Sequence, residues 1–172
     1  MASDRYVWWS ALMYLIAAPM ALAQVATTTV LSTSGSPALV TQSVTFTAVV
    51  SAASGPVPDG ELITFSDGST VLGTSPLTAG RATYSSATLK VATHQIRATY
   101  PGDGSFKSST GTYMQVINSF STTTTLTSAL NPDTYGQRVL LTASVSSGAP
   151  AGPTGIVVFK NGATTLGEGA EV

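Results

Sequence analysis

The 172-residue sequence has no cysteine, a single histidine and few charged residues. The absence of cysteine excludes disulfides, thiolate metal sites and thiol nucleophiles. The single histidine excludes most hydrolytic triads and zinc sites unless His94 serves alone. Charged residues make up 9% and the net charge is −1, so no broad basic surface is available for nucleic acid or an anionic membrane. These absences predict a non-enzymatic protein without a cofactor or metal.

Hydroxyl side chains are abundant instead. Serine and threonine occupy 49 of the 172 positions, and 16 glycines and 9 prolines add turn formers. The hydrophobic fraction of 43% is too high, and the net charge too small, for a disordered chain. We therefore expect a folded protein that is stabilised by its core alone, without covalent cross-links.

The N-terminus has the pattern of a secretory signal peptide, over residues 1–23. Arg5 gives a short basic region, Val7 to Ala18 is apolar except for Ser10, and Ala21-Leu22-Ala23 places small residues at −3 and −1. An uncleaved anchor is the alternative, but twelve residues span only about 18 Å of a hydrocarbon core of about 30 Å. We predict a signal-peptide helix that is cleaved after Ala23, and a secreted or cell-surface protein with no membrane span in the mature chain.

The rest of the chain contains an internal repeat. Aligned residues recur first at a shift of 95 and then, after a one-residue deletion, at a shift of 94. The matches include Thr27–Leu31 with Thr122–Leu126, Pro37 with Pro132, Gln42 with Gln137, Val44 with Val139, Phe65 with Phe159, Gly68 with Gly162, and Leu72-Gly73 with Leu166-Gly167. We therefore predict one domain over residues 24–119 and a truncated second repeat over 120–172, which holds counterparts of only the first four strands.

Within the first repeat, apolar and hydroxyl residues alternate with a period of two, as in half-buried strands. Ser43 to Val49 follows this pattern, and His94 to Tyr100 places Ile96, Ala98 and Tyr100 on one face. Gly and Pro turns separate the segments, and beyond residue 23 no window of ten residues has helical periodicity. About seven strands with turns every 8–12 residues predict an antiparallel β-sandwich.

An ordered set of motifs resembles the bacterial immunoglobulin-like (Ig-like) domain repeat. The set is Thr-Thr-Thr-x-Leu from Thr27, Gln42 to Val50, Phe65-x-Asp67-Gly68, Leu72-Gly73, and His94-x-Ile96-x-Ala98-x-Tyr100-x-Gly102-Asp103-x-x-Phe106. The resemblance implies an all-β, Ig-like antiparallel sandwich, with one complete domain and the N-terminal half of a second. It also implies a structural spacer or adhesive domain of a secreted or cell-surface protein, without catalytic residues. Neighbouring Ig-like repeats are the expected partners, and a surface protein or polysaccharide ligand is left open.

Two groups of titratable residues are candidate sites. His94 could be a lone general base or metal ligand, but no nucleophile or second ligand lies near it in the sequence. Asp59, Glu61, Asp67 and Asp103 could bind calcium, but they stand singly, beside or within Gly turns. We interpret the histidine as structural or solvent-facing and the acids as turn residues, and we assign no catalytic, cofactor-binding or metal-binding residue.

Aromatic residues support an alternative function, a carbohydrate-binding accessory module. Tyr84, Tyr100, Phe106 and Tyr113 could form a platform on which sugar rings stack. Both tryptophans lie in the predicted signal peptide, so the mature chain would contain none. We therefore favour the spacer or adhesive domain.

The predicted truncation has a physical consequence for the second repeat. A half-sandwich leaves apolar residues without a facing sheet and leaves strand edges unpaired. We expect residues 122–172 to be marginally stable alone, and to dock on the first repeat, self-associate or fray. The apolar residues concerned are Val139, Leu141, Val145, Val157 and Phe159.

Overall fold

A computed structural model describes residues 23–170 of the chain, and within that range every regular element is a β-strand. The all-β prediction is therefore confirmed, whereas the predicted signal-peptide helix lies outside the described residues. No helix within the described range is long and apolar enough to cross a membrane. The strands are β1 (Thr27–Thr33), β2 (Ala38–Leu39), β3 (Val44–Ala52), β4 (Leu62–Asp67), β5 (Thr70–Pro76), β6 (Arg81–Ser86), β7 (Ala92–Tyr100), β8 (Ser109–Asn118), β9 (Thr122–Ser128), β10 (Leu141–Ser147), β11 (Ile156–Asn161) and β12 (Thr164–Ala170).

Residues 27–118, here called the N-terminal segment, form a sandwich of two sheets. One sheet has the order β1-β3-β6, and the other has the order β2-β8-β7-β4-β5. The pairing is antiparallel except between β2 and β8, which run parallel. This arrangement agrees with the predicted Ig-like sandwich.

The core of the sandwich comes from the alternating positions that the sequence indicated. In β3, alternate side chains from Val44 to Val50 are buried, and the hydroxyl residues between them face outward. In β7, the predicted face of Ile96, Ala98 and Tyr100 is fully buried. Since both sheets contribute to one cluster, burial of this apolar surface is the main stabilising term of the segment.

The β4–β5 hairpin forms where the Asp-Gly signal predicted a turn. Gly68 and Ser69 make the turn, and Gly68 has φ of 57°, which glycine adopts without steric cost. The register shifts after Phe65, so this strand carries a bulge. Opposite Phe65 lies Gly73, where a Cβ atom would come within 2.7 Å of the Tyr84 ring. Gly73 thus leaves room for an aromatic ring from β6.

Residues 122–170, here called the C-terminal segment, form two separate antiparallel pairs, β9 with β10 and β11 with β12. Leu126 pairs with Ala143, as Leu31 pairs with Ala48 in the N-terminal segment. The β11–β12 ladder likewise repeats the register of β4–β5, including the shift after its phenylalanine. The two segments therefore build the same ladders, at the sequence shifts of 95 and 94.

Candidate functional surfaces

The sole histidine is bound between two elements of the N-terminal segment. His94 begins the buried part of β7, and its Nδ1 lies 2.6 Å from Asp67 Oδ2 at the end of β4. Its Nε2 lies 2.8 Å from the carbonyl oxygen of Lys90. Both partners are acceptors, and a neutral imidazole has only one N–H, so the imidazolium alone can donate to both.

The protonation of His94 follows from these contacts. Burial by itself lowers the pKa of His94, but the hydrogen bonds to Lys90 and Asp67 and the charge of Asp67 outweigh it and raise the pKa above its usual value. No group of three or more His, Cys, Asp or Glu side chains within residues 23–170 could hold a metal ion. The contact with Asp67 links the start of β7 to the end of β4.

Two of the acidic residues weighed as calcium ligands accept hydrogen bonds from backbone amides in turns. Asp59 Oδ1 accepts from Ala79 N at 2.7 Å. Asp103 Oδ1 accepts from the amides of Ser105 and Phe106, at 2.6 and 2.7 Å. Asp103 thus fixes its own Gly turn, whereas Asp59 holds the turn at Ala79, which lies 20 positions further along the chain.

The four aromatic residues weighed as a sugar platform all belong to the core or pack against it. Tyr100 is fully buried, and Tyr84, Phe106 and Tyr113 are half-buried against the core cluster. The Tyr84 ring stacks on Phe65 with centroids 5.6 Å apart, and its hydroxyl donates to Leu72 O at 3.0 Å. A stacking site for sugars needs exposed ring faces, whereas Tyr100 is fully buried and the other three rings pack against the core.

Tyr100 is the one buried side-chain group of the described residues with an unsatisfied polar atom. Its hydroxyl has no hydrogen-bond partner. Burial raises the pKa of Tyr100, and the negative charges of Asp103 and Glu61 raise it further. The phenol is therefore held neutral at the edge of the core.

The outward side of the β1-β3-β6 sheet is lined mainly by hydroxyl groups and is called the hydroxyl face. Thr45 Oγ1 lies 2.8 Å from Ser85 Oγ across the β3–β6 ladder, and Arg81 is the charged residue on this side. The hydroxyl residues of the face are Thr28, Ser32, Thr45, Thr47, Ser51, Thr83 and Ser85. Such a surface is polar without carrying a strong field, which suits solvent contact and weak, distributed hydrogen bonding.

Comparison with known protein families identifies the family of the chain. The family described as bacterial Ig-like domain (group 3) matches residues 31–118, just over half of the chain. The chain belongs to this family. No curated protein and no solved structure matches it significantly. Bacterial Ig-like domains are typically non-catalytic structural or adhesive modules and are usually extracellular.

The Ig-like domain also contains a buried polar residue that the sequence patterns did not single out. Gln115 is fully buried in β8. Its Oε1 accepts from Thr33 Oγ1 at 2.9 Å, and its Nε2 donates to Gly35 O and Val116 O, each at 3.0 Å. These bonds hold the chain where it leaves β1 in one sheet and crosses to β2 in the other. The sequence does contain a signal for this role, because Gln115 is a polar residue at an inward position of β8, between Tyr113 and Ile117.

Proposed function

We propose that this protein is an exported, non-catalytic Ig-like repeat protein whose N-terminal segment is a load-bearing spacer of a secreted or cell-surface assembly. In this proposal, residues 1–23 are the signal peptide, residues 24–119 are one complete domain, and residues 120–172 are the N-terminal half of a second. Family membership and the structural roles of His94, Asp59 and Asp103 support a function without catalysis.

The observation that carries the proposal is the way the chain enters and leaves the sandwich. Val25 bridges to the residues just before β8, with Val25 N donating to Ser105 O at 2.7 Å and Lys107 N donating to Val25 O at 2.8 Å. At the far end of β8, Val40 N donates to Asn118 O at 2.9 Å, beside the parallel β2–β8 pair. The first part of the domain is thus bonded at both ends of β8, through Val25 at its start and Val40 at its end.

This geometry places the two chain ends of the domain apart. β8 has ten residues and so extends roughly 30 Å, with the entry of the chain at its start and the exit at its end. A force applied between entry and exit pulls the first strands along β8, so that the backbone bonds of Val25, of the β2–β8 pair and of Val40 are loaded together. Such a domain suits a tandem array that stands end to end.

Close packing of β1 against β8 strengthens this junction. At Gly111 in β8, a Cβ atom would come within 2.7 Å of Thr29 O in β1. Nearby, Thr27 Oγ1 donates to Lys107 O at 2.8 Å, and Ser109 Oγ lies 2.7 Å from Thr29 Oγ1. Glycine allows the two backbones to approach, and the hydroxyls add bonds that a shearing force must also break.

Single-molecule pulling of the full chain tests the proposal. Because the chain has no cysteine, introduced pairs define the attachment points. The pair Gln24→Cys and Ser119→Cys loads β1 and β8 in shear, whereas Gln24→Cys with Gly104→Cys peels the entering chain from one end. We expect a several-fold higher unfolding force for the first pair. Equal forces would contradict a load-bearing role.

Sedimentation with insoluble polysaccharide tests the alternative, a carbohydrate-binding accessory module. Retention of the full chain on cellulose or chitin, lost in Tyr113→Ala and kept in Thr112→Ala, would favour that function over the spacer. We expect no retention, because the Tyr113 ring packs against the core cluster.

A further inference from the structure

The five-stranded sheet of the N-terminal segment has a side turned away from the core, here called the outer face, and a row of threonines crosses it. The strand register places four threonines side by side across β5, β4, β7 and β8, namely Thr74, Thr64, Thr99 and Thr110. Paired residues point to the same side of a sheet, and the strand neighbours Phe65 and Ala98 are fully buried, so the row points outward. Thr99 Oγ1 lies 3.2 Å from Thr110 Oγ1.

The outer face also carries most of the exposed large apolar side chains of the N-terminal segment. Those that stand on its strands are Leu39, Leu62, Val71 and Met114, whereas the strands of the other sheet expose Val30. Arg97 is the charged residue of the strands on this face. Depletion of charge around exposed apolar groups is typical of the centre of a protein interface and not of a solvated surface.

The chemistry of the outer face favours a second copy of the same face as its occupant. A hydroxyl group both donates and accepts a hydrogen bond, so a row of threonines can bond to an identical row. A row of carboxylates or ammonium groups would instead need a partner of opposite charge. Apolar side chains such as Leu62 and Val71 likewise fit a copy of themselves, because their association depends only on the removal of apolar surface from water.

The size of the outer face is sufficient for a weak contact between two copies. Strands β4 and β5 have six and seven residues, and β7 and β8 are longer. Four strands spaced about 4.8 Å apart and about 20 Å long present a face of roughly 20 by 20 Å. Two such faces in contact bury on the order of 1,000 Å² in total, which is near the lower limit for a specific interface.

The position of the single charge indicates how the two copies are arranged. A twofold axis along the threonine row sets β7 of one copy over β7 of the other, in the opposite direction. Arg97 stands two residues before Thr99, so it then lies opposite the end of β7 in the other copy. Glu61 is near that end, because it stands three residues before Thr64, which pairs with Thr99. The same axis sets Val71 of one copy over Pro76 of the other.

The end of β7 is the acidic part of this sheet. Two carboxylates, those of Asp103 and Glu61, are close enough to contribute to the raised pKa of Tyr100 at this end. Within residues 23–170 Arg97 forms no ion pair, and its Nη2 donates to Gln95 Oε1 at 2.9 Å. Its remaining N–H groups can therefore reach a carboxylate of a second copy.

From these observations we propose that the outer face is a homotypic interface, at which two copies of this chain pack in opposite directions about a twofold axis along the threonine row. Arg97 of each copy pairs with Glu61 of the other, and Leu62 and Val71 supply the apolar contacts. This inference goes beyond the proposed spacer, because it names a partner, and it does not depend on the mechanical role.

Sedimentation velocity of the full chain over a range of concentrations tests the interface. We expect a reversible monomer–dimer equilibrium. Arg97→Glu should weaken the dimer at least tenfold, and adding Glu61→Arg to this variant should restore it, since the charges are then exchanged. Arg81→Glu, on the hydroxyl face, is the matched control and should have no effect. A chain that stays monomeric into the millimolar range, or a dimer that Arg97→Glu leaves unchanged, would overturn the proposal.

Chemical cross-linking tests the position of the axis. Because the chain has no cysteine, a single introduced thiol reports on one position. Thr110→Cys lies on the proposed axis and meets its own copy, so a short bis-maleimide should link two chains. Met114→Cys, exposed on the same strand but four residues from the axis, should not be linked. Equal linking of both variants, or none at Thr110→Cys in a sample that dimerises, would show that the copies meet elsewhere.

Discussion

The N-terminal and C-terminal segments have the same strand pairings but differ in how deeply their apolar residues are buried. Leu31 in β1 is 7% exposed, and its counterpart Leu126 in β9 is 61% exposed. Val44, at the start of β3, is 1% exposed, whereas Val139 is 42% exposed. The paired strands are therefore not enough to bury these residues. The difference is made by the facing sheet, which β7 and β8 supply in the N-terminal segment.

This comparison separates two sources of structure in an antiparallel sandwich. Register and turns are local, because alternation and a Gly turn specify them within one hairpin. Stability is non-local, because it depends on apolar side chains from both sheets meeting in one core. The C-terminal segment has the local features, and the N-terminal segment has both.

The largest expected difference between the segments is in amide hydrogen exchange. Amides of β3 should exchange at least about 1,000-fold more slowly than those of β10, because the hydrogen bonds of β3 open only when the whole domain unfolds. Exchange measured by mass spectrometry on a monomeric sample of the full chain gives both rates at once. Comparable protection in β3 and β10 would show that the apolar side chains of the C-terminal segment are buried in solution.

Core truncation should also separate the segments. Phe46→Ala should destabilise the N-terminal segment by about 3–5 kcal/mol, because it leaves a cavity in a fully buried site. Leu141→Ala, at the aligned position of β10, should cost less than about 1 kcal/mol since the side chain is only half-buried. Urea unfolding followed by circular dichroism measures both. A similar loss of stability in the two variants would contradict the difference in cover.

The strands of the N-terminal segment could be predicted because their signals are local. Alternation from Ser43 to Val49 and from His94 to Tyr100 depends only on neighbouring residues, and both stretches lie in strands with the expected buried face. The contacts of the candidate residues could not be predicted in this way. His94 reaches Asp67 across 27 positions, and Gln115 reaches Thr33 across 82, so sequence spacing gives no sign of either bond.

A third test concerns the place where the chain crosses from β1 to β2, which the hydrogen bonds of Gln115 hold. Among the described residues, the C-terminal segment has no strand equivalent to β8 and therefore no counterpart of Gln115. Gln115→Ala should destabilise the N-terminal segment by about 1–3 kcal/mol, because it removes hydrogen bonds to Thr33 and Gly35 and leaves their polar atoms without partners. Thr112→Ala, at an exposed position of the same strand, is the matched control. Thermal unfolding of both variants measures the effect, and equal midpoints would show that the hydrogen bonds of Gln115 contribute no stability.

The smallest expected effect is a pH dependence confined to the N-terminal segment. The pKa of His94 is raised in the folded state, so its stabilising contribution is fully present below the unfolded pKa of about 6.5 and is lost as the pH rises through the folded value. The loss should be at most about 1 kcal/mol, since the ion pair is partly solvated. Asp67→Asn reproduces the residue that the C-terminal segment has at this position, Asn161, and should reduce the dependence. His94→Gln should abolish it. Urea unfolding at pH 5.5 and pH 8.5 decides the point, because stability that does not fall with rising pH would show that the imidazolium contributes no net stabilisation of the β4–β7 pair.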